Sequence, residues 1–339
     1  MEPVVITERM KGDWERFVAG NPHTIAWQSY DWSEVLKRHY RFDFYPIAVY
    51  DGPEICGILP LYRLKRGRSG SVLMSVPYAV AGGIVADDEA VRSALLEKAI
   101  SISRGCGSCP ITLKQYKYKM EGDLTVDDNY FNRELNLTGS IDDLWFGLAE
   151  RNRDKIVETY AENLTLEYPS KDFTAFYRIL MRHLHNRGIP CVNKRWIEDL
   201  LAFDMYTIAF LKNNGAIVAA TMVKSFKETV SFPFTCHPVH LDNAYVYRLY
   251  WELIRNFALS KKKIFHSGRI PANGETDEYR LGWGGDQHGY FYQYYPNNGQ
   301  RTEFAVKRGR KRKLFENCWK MMPTAFAEML GPAIVKRFP

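Results

Sequence analysis

The chain is short of cysteine, short of acids and without a long hydrophobic run. Its six cysteines, Cys56, Cys106, Cys109, Cys191, Cys236 and Cys318, are scattered over 339 residues, which excludes a disulfide scaffold and predicts reduced thiols. Cys106 and Cys109 form a lone CGSC. A zinc site needs a second ligand pair nearby, so the two read as structural. No stretch of about eighteen apolar residues occurs, and the opening MEPVVITERMKGDWERF lacks the basic start and apolar segment of a signal peptide. A cytoplasmic protein is expected. The 39 acids face 46 Lys and Arg, a net charge of +7 with a pI near 8.9. That balance favours an anionic partner: nucleic acid, a phosphorylated substrate or a membrane surface.

What is there is globular material, 46% hydrophobic and 25% charged, over a length that suits two domains of about 150 residues each. The chain repeats itself. FDFYPIA at 42–48 recurs as FDMYTIA at 203–209, an offset of 203 − 42 = 161. Each copy begins a three-strand antiparallel meander, continued by 55–62 and 72–76 in the first half and by 217–224 and 229–235 in the second. A helix follows each meander, 88–104 and 243–260; in the second, Val246, Leu249, Leu253 and Phe257 fall at helical spacing. Each helix returns to a strand, 111–115 and 263–267. Ahead of the second meander, Phe173, Phe176, Leu180 and Leu184 line one face of a helix over 172–187, stopped by Gly188 and Pro190. Trp32, Val35 and Leu36 mark a weaker counterpart in the first half. A strand-helix-strand crossover joined to a meander makes an α/β fold with a mixed sheet and helices on both faces. The expected domains are 1–148 and 149–305, followed by a basic segment and an amphipathic helix over 306–339.

The unusual chemistry gathers in KIFHSGRIPANGETDEYRLGWGGDQHGYFYQYY, 263–295, expected at a sheet edge. Two arginines, a histidine, tyrosine hydroxyls and glycines suit an anionic ligand. An aromatic core strand behind a surface loop is the alternative.

The order of elements resembles the acyl-CoA N-acyltransferase (GNAT-like) fold, and its tandem duplication resembles the Fem-type peptidyltransferases that add amino acids to cell-wall precursors. WQSYDWSEVLKRHY (27–40), GILPLY (57–62) and SVPYAVAGGIV (75–85) carry the resemblance in the first half. ERNRDKI (150–156), FYRILMRHLHNRGIP (176–190), FHSGRI (265–270) and EYRLGWGGD (278–286) carry it in the second. Tyr279 and Arg280 stand where the family usually has Phe-Lys, which keeps the charge but makes it a planar fork. The long helical hairpin that some members insert is missing, so the chain resembles the compact members. Its C-terminal WKMMPTAFAEMLGPAIVKRFP resembles the tail of a subgroup linked to exported polysaccharides.

The resemblance implies transfer of an acyl or aminoacyl group to an amine of a cell-envelope precursor, by direct attack in a ternary complex. Simple acetyltransferases of this fold cradle coenzyme A in an Arg/Gln-x-x-Gly-x-Gly/Ala turn at a helix start. No stretch here fits: RGCGSC at 104–109 follows its helix, and HPVHLDNAYVY has no glycine. With no tightly bound cofactor implied, the donor is aminoacyl-tRNA, as in Fem-type enzymes, or acyl-CoA. The acceptor is an anionic small-molecule or lipid-linked precursor. Arg153, Arg269 and Arg280 are expected as anion clamps, and Tyr279 as a hydrogen-bond donor near the reacting carbonyl. His266 is expected to titrate near neutrality. Trp283 and Tyr294 are candidates for substrate contact, Trp283 with packing as its alternative. Asp277, Glu278 and Asp286 read as helix-face charges before bases, and His237 and His240 as loop residues with no metal. Lys307, Arg308, Arg310, Lys311, Arg312 and Lys313, in KRGRKRK, suit RNA phosphates or anionic lipid headgroups, with a solvated linker as the alternative. The helix after them, with Leu314, Phe315, Cys318, Trp319 and Met322, reads as domain packing before peripheral membrane contact. An acyl-CoA-dependent N-acyltransferase acting on an amino sugar or amino acid is the rival within enzymes, and a non-catalytic repeat that binds RNA or glycan is the rival outside them.

Overall fold

The computed structural model describes residues 2–65, 70–260, 262–272, 278–296 and 310–335, with backbone alone at 278–279 and 310–313. The first half runs β1 (Val4–Val5), α1 (Lys11–Gly20), α2 (Tyr30–Tyr40), β2 (Asp43–Asp51), β3 (Glu54–Lys65), β4 (Ser71–Met74), β5 (Val85–Ala86), α3 (Glu89–Gly105), β6 (Ile111–Tyr116) and β7 (Thr125–Asn136). Two short helices, α4 (Ile141–Phe146) and α5 (Glu150–Val157), lead into the second half. There follow β8 (Leu164–Ser170), α6 (Phe173–Asn186), α7 (Lys194–Leu201), β9 (Tyr206–Asn213), β10 (Ala216–Phe226), β11 (Thr229–Cys236), α8 (Ala244–Leu259), β12 (Ile264–His266), β13 (Ile270–Pro271), a 3-10 turn (Glu278–Trp283) and β14 (Asp286–Tyr295). Helices α9 (Arg310–Met321) and α10 (Thr324–Val335) close the chain. Both halves therefore follow the order read from the repeat: strand, two helices, meander, helix, strand.

Local chemistry sets the helix ends. Ser29, Asp88 and Asp172 precede α2, α3 and α6 and accept backbone N–H bonds from their first turns, each cap stabilising by roughly 1 kcal/mol. Gly188, at φ +75°, lets the chain leave α6 in the left-handed region that a side chain disfavours.

The strands form one mixed sheet in the order β1-β2-β3-β4-β6-β14-β7-β12-β11-β10-β9-β8, with β5 on β3 and β13 on β7. The pairs β4/β6 and β11/β12 are parallel and are bridged by α3 and α8. The remaining pairs are antiparallel. The halves exchange their last strands: β14 lies between β6 and β7, and β7 pairs with β12. The expectation of a site at a sheet edge is thereby corrected, because β1 and β8 hold the edges, whereas β12 and β14 lie in the centre on either side of β7. Gly285 makes that placement possible. It sits at φ +90°, and a Cβ there would lie 2.4 Å from the Glu134 carbonyl oxygen on β7.

Helices α3 and α8 cover one face of the sheet. On the other, the two halves share a core: Trp32, Leu36, Tyr62 and Met74 from the first pack with Phe176, Trp196, Ile208 and Met222 from the second. Trp32 meets Trp196 edge-on at 6.1 Å, and Asp199 on α7 binds His39 at 2.7 Å and Arg38 at 2.8 Å on α2. Each large side chain buried there contributes roughly 1.5–3 kcal/mol, so the halves are joined by packing as well as by chain.

Candidate functional site

Register decides what shares that inter-half face. Lys224 on β10 lies opposite Ser231 on β11, Ser231 opposite His266 on β12, His266 opposite Glu134 on β7, and Glu134 opposite Asp286 on β14. Opposed side chains point to one face, so these polar groups form a single row across five strands. Beside it, Asn132 opposes His288, Tyr290 is flanked by Tyr130 and Tyr116, and Tyr292 opposes Lys114. The first half supplies a cover from the loop carrying Trp27 and the loop carrying Val76 to Val80.

Lys224 is 8% exposed, and its Nζ sits 3.4 Å from the centroid of the Trp27 ring. That cation–π contact is the partner of the ammonium, which makes no hydrogen bond among the described residues. Burial lowers its pKa to about 7. Lys114, equally buried, donates to the carbonyls of Val76 and Ala79 at 3.0 Å each. Burial, and then the neighbouring Arg269 charge, bring it also to about 7.

His266 accepts from the Gly268 N–H through Nδ1 at 3.3 Å and faces the Tyr290 hydroxyl through Nε2 at 3.4 Å. A neutral ring with its hydrogen on Nε2 satisfies both contacts. Its edge is partly open, but crowding by protein, and then the Lys224 charge, lower its pKa to about 3. The expectation that His266 titrates near neutrality is corrected accordingly. Glu134 accepts from the Tyr116 hydroxyl at 2.6 Å and from Lys117 at 2.8 Å, with His288 Nε2 at 3.3 Å. Burial alone would raise its carboxyl; the Lys117 and Tyr116 bonds outweigh that and hold it below the usual value. Asn132 ties the groups together, donating to the Tyr116 hydroxyl at 2.8 Å and accepting from the Gly268 N–H at 3.1 Å.

Arg269 is exposed at the rim. It donates to the Tyr292 hydroxyl at 3.0 Å and lies 4.7 Å over the Tyr130 ring, while Tyr292 donates to the Val80 carbonyl at 2.9 Å. Arg280 reaches the Arg269 carbonyl at 3.3 Å, so the structure brings these two arginines together. Tyr294 is buried beside Tyr290 and Tyr292. Two candidates sit elsewhere. Arg153 donates to the carbonyls of Phe146 and Leu148 at 3.1 and 2.8 Å, closing the end of α4. Trp283 is 1% exposed in the core under α8, against Tyr247 and Tyr250, which corrects its candidacy for substrate contact: no face of the indole is open. The side chains of Glu278 and Tyr279, all of Asp277, Lys307 and Arg308, and the side chains of Arg310, Lys311, Arg312 and Lys313 lie outside the described residues.

Sequence reasoning passed over Lys224, Lys114, Glu134, Tyr116 and Trp27. A signal existed for the lysines: each is the single charged residue of its strand, AIVAATMVKSF and ITLKQY.

Away from that cluster, a recess of about 260 Å³ opens where β11 and β12, paired over Thr229–Ser231, part company. It is lined by His183 on α6 and Arg187 just after it, Thr235 and His237 at the end of β11, and Asn243 and Tyr247 at the start of α8. The His183 and His237 rings meet at 4.8 Å. Its positive charge comes from Arg187 at the C-terminal end of α6 and not from the turn HPVHLDN.

These features define a tandem GNAT-like fold with a polar cluster between its halves. No family model matches the chain, and no curated protein matches it. Among solved structures it is similar to FemX, with a TM-score of 0.67 at 12% identity over 86% of this chain and 97% of that one. It is similar to the C-terminal domain of a putative lysylphosphatidylglycerol synthetase from Agrobacterium fabrum, with a TM-score of 0.59 at 11% identity over 86% and 92%. A tandem GNAT protein from the clavulanic acid biosynthesis pathway gives a TM-score of 0.50 at 11% identity over 86% and 97%. At such identities the likeness establishes the fold.

Proposed function

We propose that the chain is an acyl- or aminoacyltransferase that modifies an amine of a cell-envelope precursor within the inter-half cluster. The observation that carries this reading is the row Lys224–Ser231–His266–Glu134, a line of polar groups across the inter-half face whose counterpart in the first half is packing. The likeness to FemX and to a putative lysylphosphatidylglycerol synthetase domain supports it, as does the resemblance to Fem-type enzymes. The acceptor nitrogen attacks the acyl carbonyl carbon, a C–N bond forms, and the ester C–O bond of the donor breaks. The amine proton leaves by way of Lys224, which is poised near neutral pH to take it, and ends on the departing oxygen. Neutral His266 with Tyr290 offers hydrogen bonding to the carbonyl oxygen as charge develops. Arg269 and Arg280 at the rim hold an anionic part of the acceptor.

A second reading of the donor rests on the recess at the start of α8. Its Arg187 and histidines beside a helix N-terminus suit the diphosphate of an acyl-CoA, in which case a C–S bond breaks in place of C–O.

The test is transfer of labelled acyl groups to nucleotide-linked and lipid-linked amino acceptors, from charged tRNA or from acyl-CoA, with melting curves for each donor. Label transfer abolished by ribonuclease supports the aminoacyl reading. Transfer and a raised melting midpoint with acyl-CoA alone support the second. Neither transfer nor stabilisation by any donor would overturn the enzyme in favour of a binding repeat.

A further inference from the structure

Helices α9 and α10 expose apolar surface in a pattern that interior packing does not explain. Met321 is 86% exposed, Met329 66%, Leu314 65% and Phe326 56%. Of the fifteen large hydrophobics exposed among the described residues, six lie in these 26 residues: Leu314, Phe315, Met321, Phe326, Met329 and Leu330. Spacing sorts them onto faces. Leu314, Cys318 and Met321 recur every three or four positions along α9, as do Phe326, Met329, Leu330 and Ala333 along α10, and all are exposed. The opposite faces are anchored. Trp319 and Ala327 are buried, the Met322 carbonyl lies 2.9 Å from His185 Nε2 on α6, and a Cβ on Gly331 would lie 2.8 Å from the Cys191 carbonyl oxygen. The helices thus have a fixed inner face and a bare outer one.

We propose that this outer face docks on an anionic lipid bilayer, lying in the interface plane. Charge chooses this occupant over others. The bare helices are flanked in sequence by cations, KRGRKRK at 307–313 and Lys336 and Arg337 after α10, and exposed apolar helices with cations next to them in the chain are complementary to acidic headgroups above hydrocarbon. The same cations would repel a second copy of the chain. Nucleic acid would leave the methionines and Phe326 without a partner. Neither helix crosses the bilayer: among the described residues none is long and apolar enough. Near the His185 anchor, His183 on α6 and Arg187 just after it line the recess at the start of α8, so docking would set that opening beside the membrane surface. The proposal is independent of the transferase reading.

The full chain is sedimented with vesicles of phosphatidylcholine alone or mixed with phosphatidylglycerol, at low and high salt. Binding to the mixed vesicles alone, weakened by salt, is expected. Met321→Ser, Phe326→Ser and Met329→Ser combined should lose about tenfold in partitioning with an unchanged melting curve. Lys311→Gln with Arg312→Gln should lose several-fold and lower the salt dependence. The proposal is overturned if neither vesicle type pulls the chain down, or if the triple serine variant binds like the parent. A concentration-dependent dimer abolished by the serine substitutions would assign the face to a second copy and overturn it too, as would retention on RNA without retention on vesicles.

Discussion

The two halves carry the same rung of the same sheet with opposite content. In the first, the row runs Phe44, Tyr62, Met74 and Thr112, ending on Tyr294 of the exchanged strand. In the second it runs Tyr206, Lys224, Ser231 and His266, ending on Glu134. Both rows sit on the inter-half face, and both cross the parallel pair that the crossover helix closes. The first is packing: Tyr62 and Met74 are buried, and Phe44 stacks on Tyr62 at 4.6 Å. The second places an ammonium and an imidazole where its counterpart has a phenol and a hydroxyl-bearing threonine. Burying those groups lowers the pKa of both Lys224 and His266, a cost that packing alone gives no reason to bear. The two halves share one scaffold, and only the second carries the lysine and the imidazole on it.

The largest expected effect comes from breaking the exchange that ends both rows. Gly285→Val would put a side chain at positive φ against the Glu134 carbonyl and should cost about 4 kcal/mol or more. Urea unfolding should show the loss, and transfer activity should vanish with it. A variant as stable as the parent would mean that β14 can leave β7 freely.

Making the second row resemble the first comes next. Lys224→Met keeps the stem and removes the buried ammonium, so transfer should fall about a hundredfold while stability at neutral pH rises by about 2 kcal/mol. The pH dependence follows from the direction of the shift. A lysine lowered from 10.5 to about 7 is protonated more readily in the unfolded chain, so the parent gains stability as pH rises between those values. The variant should lose that share of the slope, with Lys114 retaining its own. It should also lose any rise in rate through about pH 7. Unchanged activity in a well-folded Lys224→Met protein would remove this residue from the chemistry.

His266→Gln should act more weakly, lowering transfer roughly tenfold. With its pKa lowered from 6.5 to about 3, the parent ring binds a proton first in the unfolded chain, so stability falls as pH drops from 6.5 towards 3. The glutamine variant should melt higher than the parent near pH 4. An acid-stability curve identical to the parent's would mean that the imidazole is not crowded as described.

Much of the scaffold was legible because the repeated FDFYPIA and FDMYTIA mark β2 and β9, and helical spacing marks α6 and α8. Strand exchange was not. Alternation along β7 and β14 tells which residues share a face but not which strand lies alongside, so the aromatic run at 290–295 reads equally well at an edge or at the centre. The site was partly legible for the same reason. Arg269, Arg280 and His266 are close in sequence and could be grouped, whereas Lys224, Trp27, Glu134 and Lys114 come from four other segments and meet only through register. Trp283 misled because an aromatic between glycines looks alike whether it faces a ligand or a core. The glycines have their own reason: a Cβ on Gly282 would lie 2.2 Å from Asn152 Oδ1, so the turn closes directly on α5.

The smallest expected effect compares one position across the halves. Met74 and Ser231 occupy the same place, each on the third meander strand opposite the residue that follows the crossover helix. Met74 lies in apolar core, so Met74→Leu, which conserves volume, should cost under about 1.5 kcal/mol and leave transfer unchanged. Ser231→Ala is also a small change, and its stability cost should be no larger, about 1 kcal/mol. Its hydroxyl, however, stands between Lys224 and His266, so transfer should fall several-fold. The discriminating readout is the ratio of activity to stability in each variant, with kcat and KM measured separately. If Ser231→Ala behaves like Met74→Leu, the polar row has no working centre, and catalysis would have to be sought at the Arg269 rim.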